Sequence, residues 1–237
     1  MQTKLLGSET IAEGTMLFKF EKPKDFEYKA GQNADFFLIN SPETDAEGDK
    51  RTFSLASVPT DEHLAIATRM RDTSFKRVLK NMSVGTELSI EGPYGDFFLH
   101  ENVNRPAIFL AGGIGITPFY SMVTNASLRS LPHKIILLYS NRRPEDAPFL
   151  ENLISLPFHD RNFKFVGTMT NMESSKEKWL GERGYINAEM LARHVDKKLT
   201  PIYYIAGPIT MVTAMRDMLN RSGVSNDDIR TEEFTGY

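Results

Sequence analysis

The hydrophobic period of this chain changes once, near Val103–Pro106, and that change constrains the fold more than any other feature. Before it, Lys4–Ile11, Thr15–Glu21, Ala34–Asn40, Arg51–Ser57, His63–Met70 and Thr86–Glu91 read as short strands, β-branched, aromatic and often alternating. GQN, SPETDAEGD and VPTDEH separate them as turns, and Asp45–Lys50 reads as an exposed loop tip. Six closely spaced strands predict an antiparallel barrel or sandwich. In this half only Ser74–Asn81 reads as a helix, with Phe75, Val78 and Leu79 on one face. After the boundary, apolar runs at Pro106–Ala111, Lys134–Tyr139, Phe163–Thr168 and Ile202–Ala206 alternate with helical spacing. The helices fall at Thr117–Arg129, Glu145–Leu156, Asn187–Val195 and Ile209–Ser222, and Ile229–Phe234 reads as a last strand. Such alternation predicts a parallel sheet covered on both faces, a doubly wound α/β unit. The expected division is residues 1–102 and 103–237, with a ligand cleft between the two.

Composition narrows the chemistry. The 237 residues contain no cysteine, which excludes disulfides, thiol catalysis and Cys-held zinc or iron–sulfur clusters. A net charge of -3 offers no basic surplus for nucleic acid. MQTKLLGSETIAEG lacks the apolar stretch of a signal peptide, and no run is long enough to span a bilayer, so a cytoplasmic protein is expected. His63, His100, His133, His159 and His194 are scattered, form no H-x-x-x-H pair, and read as structural or surface residues.

Three loops at strand ends carry the chemical signal. Ala111-Gly112-Gly113-Ile114-Gly115-Ile116-Thr117-Pro118 follows a strand and opens a helix. Its glycines and its helix N-terminus suit a pyrophosphate or a flat ring, and they equally suit an ordinary tight strand–helix turn. Pro118 stands where a dinucleotide fingerprint has its third glycine. Ser140-Asn141-Arg142-Arg143 closes the next strand, where an arginine can accept a 2′-phosphate or simply face solvent. Ala206-Gly207-Pro208-Ile209-Thr210-Met211 opens the last helix. At three parallel strand ends, the loops converge on one edge of the sheet. In the first half, Arg51 and Phe53 share one face of a strand and Thr52 and Ser54 the other. A guanidinium beside an aromatic suits a phosphate beside a ring, and Phe53 equally suits a core position.

Taken in order, the R-x-aromatic-S segment Arg51–Ser54, the turn Gly92-Pro93-Tyr94-Gly95, the loop Gly112–Pro118, the segment Gly207–Met211 and the end Glu232-Glu233-Phe234-Thr235-Gly236-Tyr237 resemble the ferredoxin–NADP reductase superfamily. The resemblance covers nearly the whole chain. It implies a six-stranded FAD-binding barrel, an NAD(P)-binding α/β domain, and a stand-alone reductase without an iron–sulfur or globin domain. It implies Arg51 and Thr52 at the flavin phosphates, Phe53 beside the ring or ribityl chain, and Ser54 at the flavin N5–O4 edge. Thr68, Arg69 and Met70 would present backbone groups to the pyrimidine end. Thr73 and Ser74 would cap the helix facing the phosphates. Gly112, Gly113, Ile114, Gly115, Thr117 and Pro118 would receive the nicotinamide nucleotide, with Thr117 near the nicotinamide–flavin contact. Ser140, Asn141, Arg142 and Arg143 would surround the adenosine ribose, with Ala206, Gly207, Pro208 and Met211 completing the site. Many relatives carry cysteine where this chain has Ala206. Glu232 would relay protons through Ser54, or it is a solvated carboxylate. Phe234 or Tyr237 would cover the flavin.

The expected activity is transfer of electrons from NAD(P)H through FAD to a separate ferredoxin, flavodoxin or oxygenase component. A free-flavin reductase and a non-catalytic nucleotide-binding module are the competing readings. The two cofactors carry the redox chemistry, which fits a chain without a triad or metal set.

Overall fold

The structure is a computed structural model and describes residues 1–156, 162–196 and 199–234. In the first half, β1 (Gln2–Ala12), β2 (Thr15–Glu21), β3 (Asn33–Leu38), β4 (Lys50–Ser54), β5 (His63–Arg69) and β6 (Glu87–Tyr94) form one antiparallel sheet. Their order is β4-β3-β6-β1-β2-β5. An antiparallel bridge between Leu55 and Ile66 joins the two edges and curls the sheet into a barrel. Inward residues Leu5, Phe18, Phe20, Phe36, Leu64, Ile66, Leu88 and Ile90 fill its core. α1 (Ser74–Asn81) plugs one side with Phe75 and Leu79.

The second half forms a six-stranded parallel sheet from β7 (Ala107–Gly112), β8 (Ile135–Asn141), β9 (Phe163–Met169), β10 (Glu182–Arg183), β11 (Ile202–Pro208) and β12 (Ile229–Phe234). The order β10-β9-β8-β7-β11-β12 reverses direction between β7 and β11, so the topological switch point lies there. Every residue of β7 is buried, which explains its unbroken apolar sequence. α2 (Ile116–Leu128) and α3 (Leu150–Ser155) cover one face, and α4 (Ala188–His194) and α5 (Ile209–Arg221) cover the other.

Two expectations need correction. The helix expected over Glu145–Leu156 breaks into a single tight turn at Pro144–Asp146 and α3, because Pro148 lacks the N–H a continuous helix needs and Phe149 turns left-handed. β10 was not anticipated; two residues give no period to read. Thr235, Gly236, Tyr237 and His159, named above, lie outside the described residues.

The halves share a core. Leu17, Ala56, Ala65, Ala67 and Phe97 pack in one cluster with Phe109, Phe119, Met122 and Phe149. Phe119 lies between Phe97 and Phe109, with ring centroids 5.5 and 4.6 Å away. Polar ties add to it: Ser121 Oγ donates to Ser57 O at 2.6 Å, and Glu13 N donates to Glu145 O at 2.8 Å. Among the described residues, no helix is long and apolar enough to cross a membrane.

Candidate functional site

The glycine loop sits at the switch point, and its glycines have a local cause. A Cβ on Gly112 would meet Met211 Sδ at 2.2 Å, and one on Gly115 would meet the Ala206 carbonyl oxygen at 2.4 Å. The small residues therefore let the β7 loop lie directly against the β11–α5 loop. Thr117 Oγ1 donates to Ile114 O at 2.7 Å and fixes the loop, and Pro118 occupies the first turn of α2, where no N–H is needed. Pro208 starts α5, and Ala206 is fully buried behind Gly115.

Beside this loop a cavity of about 540 Å³ spans both halves. Arg51, Thr52, Phe53 and Ser54 of β4, Thr68 and Arg69 of β5, and Thr73 line it from the barrel; Ile114 and Phe234 line it from the α/β half. Phe53 also packs against Phe36 and Phe75, so it lines the cavity and joins the barrel's aromatic cluster. Thr52 Oγ1 donates to the Asp35 carboxylate. The Met70 side chain packs against the barrel core.

At one end of the cavity, β12 brings Glu232 across to the barrel. Ser54 Oγ donates to Glu232 Oε1 at 3.0 Å, and Asn33 Nδ2 approaches the same oxygen at 3.4 Å. Glu232 Oε2 is buried without a partner. Burial pushes this carboxyl up to about 7, against the opposing pull of Ser54 and Asn33. Asn33 was missed because nothing local in the sequence links it to a carboxylate 199 positions away.

At the other end, cations gather. Arg51, Arg71 and Lys76 line the cavity wall, and burial together with Arg71 and Arg51 pulls the Lys76 ammonium down to about 8. Arg69 Nη2 donates to Asp146 O across the domain junction, while its buried Nε has no partner. The run from Arg69 to Arg77, with four basic residues besides Asp72, held the signal for this patch.

Two cap and charge assignments are corrected. Thr73 precedes α1 but makes no capping bond, and its buried Oγ1 is unpartnered. The cap comes from Asp45, whose Oδ2 accepts from Ser74 N at 3.0 Å and Ser74 Oγ at 2.7 Å. Asp45 is thus no idle loop tip. Arg143 is consumed by Asp146, to which it donates two bonds at 2.8 and 2.7 Å, and by Glu13 at 2.7 Å. Only Arg142 projects from the β8 end into solvent; Ser140 to Arg143 lie apart from the 540 Å³ cavity. Asn141 is buried there with both carboxamide atoms unpartnered. A larger cavity of about 670 Å³ lies at the opposite ends of the strands, around Leu191, Tyr203 and Leu219, away from all these groups.

Residues 109–217 match the family model of the oxidoreductase NAD-binding domain. The chain is 28% identical over 95% of its length to the glycine betaine monooxygenase reductase subunit of Chromohalobacter salexigens, spanning 61% of that relative. It is 28% identical over 90% of its length to the propane 2-monooxygenase reductase component of Rhodococcus jostii, spanning 57% of it. Among solved structures, the Amycolatopsis cytochrome P450 reductase GcoB superposes with a TM-score of 0.83 at 21% identity, covering all of this chain and 70% of that one. A ferredoxin NADP+ reductase from Neisseria gonorrhoeae, solved with FAD and NADP, superposes at 0.78 with 21% identity and 98% of both chains covered. Residues 109–217 therefore carry the pattern of an oxidoreductase NAD-binding domain, and the whole chain shares the two-domain fold of the reductases it superposes on.

Proposed function

We propose that the chain is an FAD-dependent NAD(P)H reductase that hands electrons to a separate protein, an oxygenase component or a small electron carrier. Residues 1–102 would hold the flavin and residues 103–237 the nicotinamide nucleotide, in the cytoplasm. The observation that carries this reading is the single cavity bounded by Arg51–Ser54, Ile114 and Phe234, because it opens on both the barrel and the switch point. The lining fits the cofactor. A cationic end of Arg51, Arg71 and Lys76 suits phosphates. At the other end, the Glu232 Oε2 orphan suits a polar ring edge. The unpartnered carboxamide of Asn141 suits a nucleotide lying along the β8 end.

FAD, when bound, supplies the exchange between a two-electron donor and one-electron acceptors. The protein supplies position and protons. The shared core fixes the barrel against the α/β half, which holds two ligands in register. Ile114 and Phe234 give the cavity an apolar wall on the α/β side. Ser54 Oγ stays bonded to Glu232, whose carboxyl titrates near neutrality and can therefore take up or release a proton at working pH. The relatives' names as reductase components of oxygenases support an oxygenase-type acceptor. The test is anaerobic: protein reconstituted with FAD should show a flavin spectrum that bleaches on adding NADH or NADPH. A flavin spectrum that neither donor bleaches overturns the reading.

A further inference from the structure

The basic end of the cavity already holds an anion, and the anion belongs to the chain. The β3–β4 connection carries Glu43, Asp45, Glu47 and Asp49 and folds back over α1 and β4. Asp45 Oδ2 accepts from both the N–H and the hydroxyl of Ser74, the first residue of α1. Its Oδ1 lies 3.3 Å from Arg51 Nη2, and Glu47 Oε2 lies 2.8 Å from the same nitrogen. Arg51 Nη1 further donates to three carbonyls of the strap, Glu47, Gly48 and Lys50. Ser74's two donors hold the Asp45 carboxyl down at about 2, so it stays charged at any working pH. Glu43 anchors the start of the strap on Arg77, with 2.6 Å at its shortest contact.

The adjoining wall has charge to spare. Arg71 and Lys76 also line the cavity, and neither has a carboxylate within ion-pair distance among the described residues. A phosphate entering here meets two cations without a carboxylate partner, Lys76 donating meanwhile to the Arg69 carbonyl oxygen at 2.8 Å. The other two groups suited to it are committed to the strap: the α1 N-terminus to Asp45, and Arg51 to Asp45 together with Glu47. Two anions cannot share that place, because like charges at such range repel.

We propose that Asp45 sets flavin selectivity by exchange: the phosphates of FAD or FMN must displace its carboxylate from Ser74 and Arg51, whereas riboflavin need not. This rests on the flavin reading above. The strap thus makes phosphate-bearing flavins weaker ligands than the cavity alone would, and gives the site a way to release them.

Flavin-free protein and its D45N and D45S variants should be titrated with riboflavin, FMN and FAD, following flavin fluorescence. Asparagine and serine both cap helices without charge, so α1 keeps an N-cap, and an unchanged melting temperature verifies it. Expected is about a ten-fold tightening for FAD in both variants, the order of one charge-assisted hydrogen bond, a smaller or equal gain for FMN, and riboflavin within about two-fold of wild type. FAD affinity unmoved or weakened in the variants, with riboflavin still binding, overturns the exchange and leaves the flavin reading intact. Equal tightening for riboflavin also overturns it, since that ligand has no phosphate. Failure of every flavin to bind any of the three proteins overturns both.

Discussion

At the scale of single residues, one carboxylate joins the two halves. Glu232 reaches Ser54 on the cavity wall because β12 is the outer parallel strand and pairs with β11 from Tyr203↔Ile229 to Pro208↔Phe234. That register sets its side chain against Ser54 of the other half. Its folded pKa of about 7 lies above the ordinary carboxyl value, so the native state keeps a proton that the unfolded chain releases. The resulting stabilisation is full below about pH 4.5 and is lost as pH rises through about 7. Its size is at most about 3 kcal/mol. Replacing Glu232 with glutamine keeps the shape and removes the titration. Melting temperatures at pH 5 and pH 7.5 should therefore fall with pH in the wild type and differ less in Glu232→Gln. An equal fall in both proteins would show that the proton sits elsewhere.

At the scale of elements, local pattern and long-range pairing separate cleanly. β2, α1 and β12 fall at the bounds their sequence periods indicate, because each period records a face against a core. The glycine loop was legible too, although its glycines answer Met211 and Ala206 as well as any ligand. What the sequence hid is who pairs with whom. Arg142 and Arg143 look equivalent on paper as ribose-side cations. Folding brings Glu13, 130 positions away, onto Arg143 and leaves Arg142 exposed. Asp45 and Asn33 were hidden for the same reason: their partners lie on other elements. The two arginines should accordingly behave differently. Arg143→Ala strips a buried carboxylate, Asp146, of its partner and should lower the melting temperature measurably. Arg142→Ala should leave the melting temperature unchanged and raise KM for NADPH more than for NADH, if a 2′-phosphate is read at this loop. Chemical denaturation and paired KM measurements check both; equal KM changes for the two donors would remove Arg142 from coenzyme choice.

At the scale of the molecule, the barrel and the α/β half differ in architecture and are not independent. α2 presents Phe119, Met122 and Val123 to a cluster that includes Leu17, Ala65, Ala67 and Phe97 from the barrel. Removing either half would bare that surface to water. This is also what a two-ligand cavity requires, since a loose hinge would let the switch point drift from the barrel mouth. The shared core predicts that the halves unfold together, although chains of this size often do not. The single tryptophan, Trp179, reports the α/β half, packed against Gly167 and donating from its ring nitrogen to Glu182 O at 2.9 Å. Urea unfolding followed by its fluorescence should coincide with unfolding followed by far-UV circular dichroism, which sees the barrel strands as well. Phe119→Ala empties the centre of the junction between Phe97 and Phe109 and should cost about 3–5 kcal/mol. In that variant the two probes should still coincide, at a lower midpoint, because the surrounding cluster persists. Curves that separate already in the wild type would mean that each half is stable alone, and that the cavity between them is held by its ligands and not by the core.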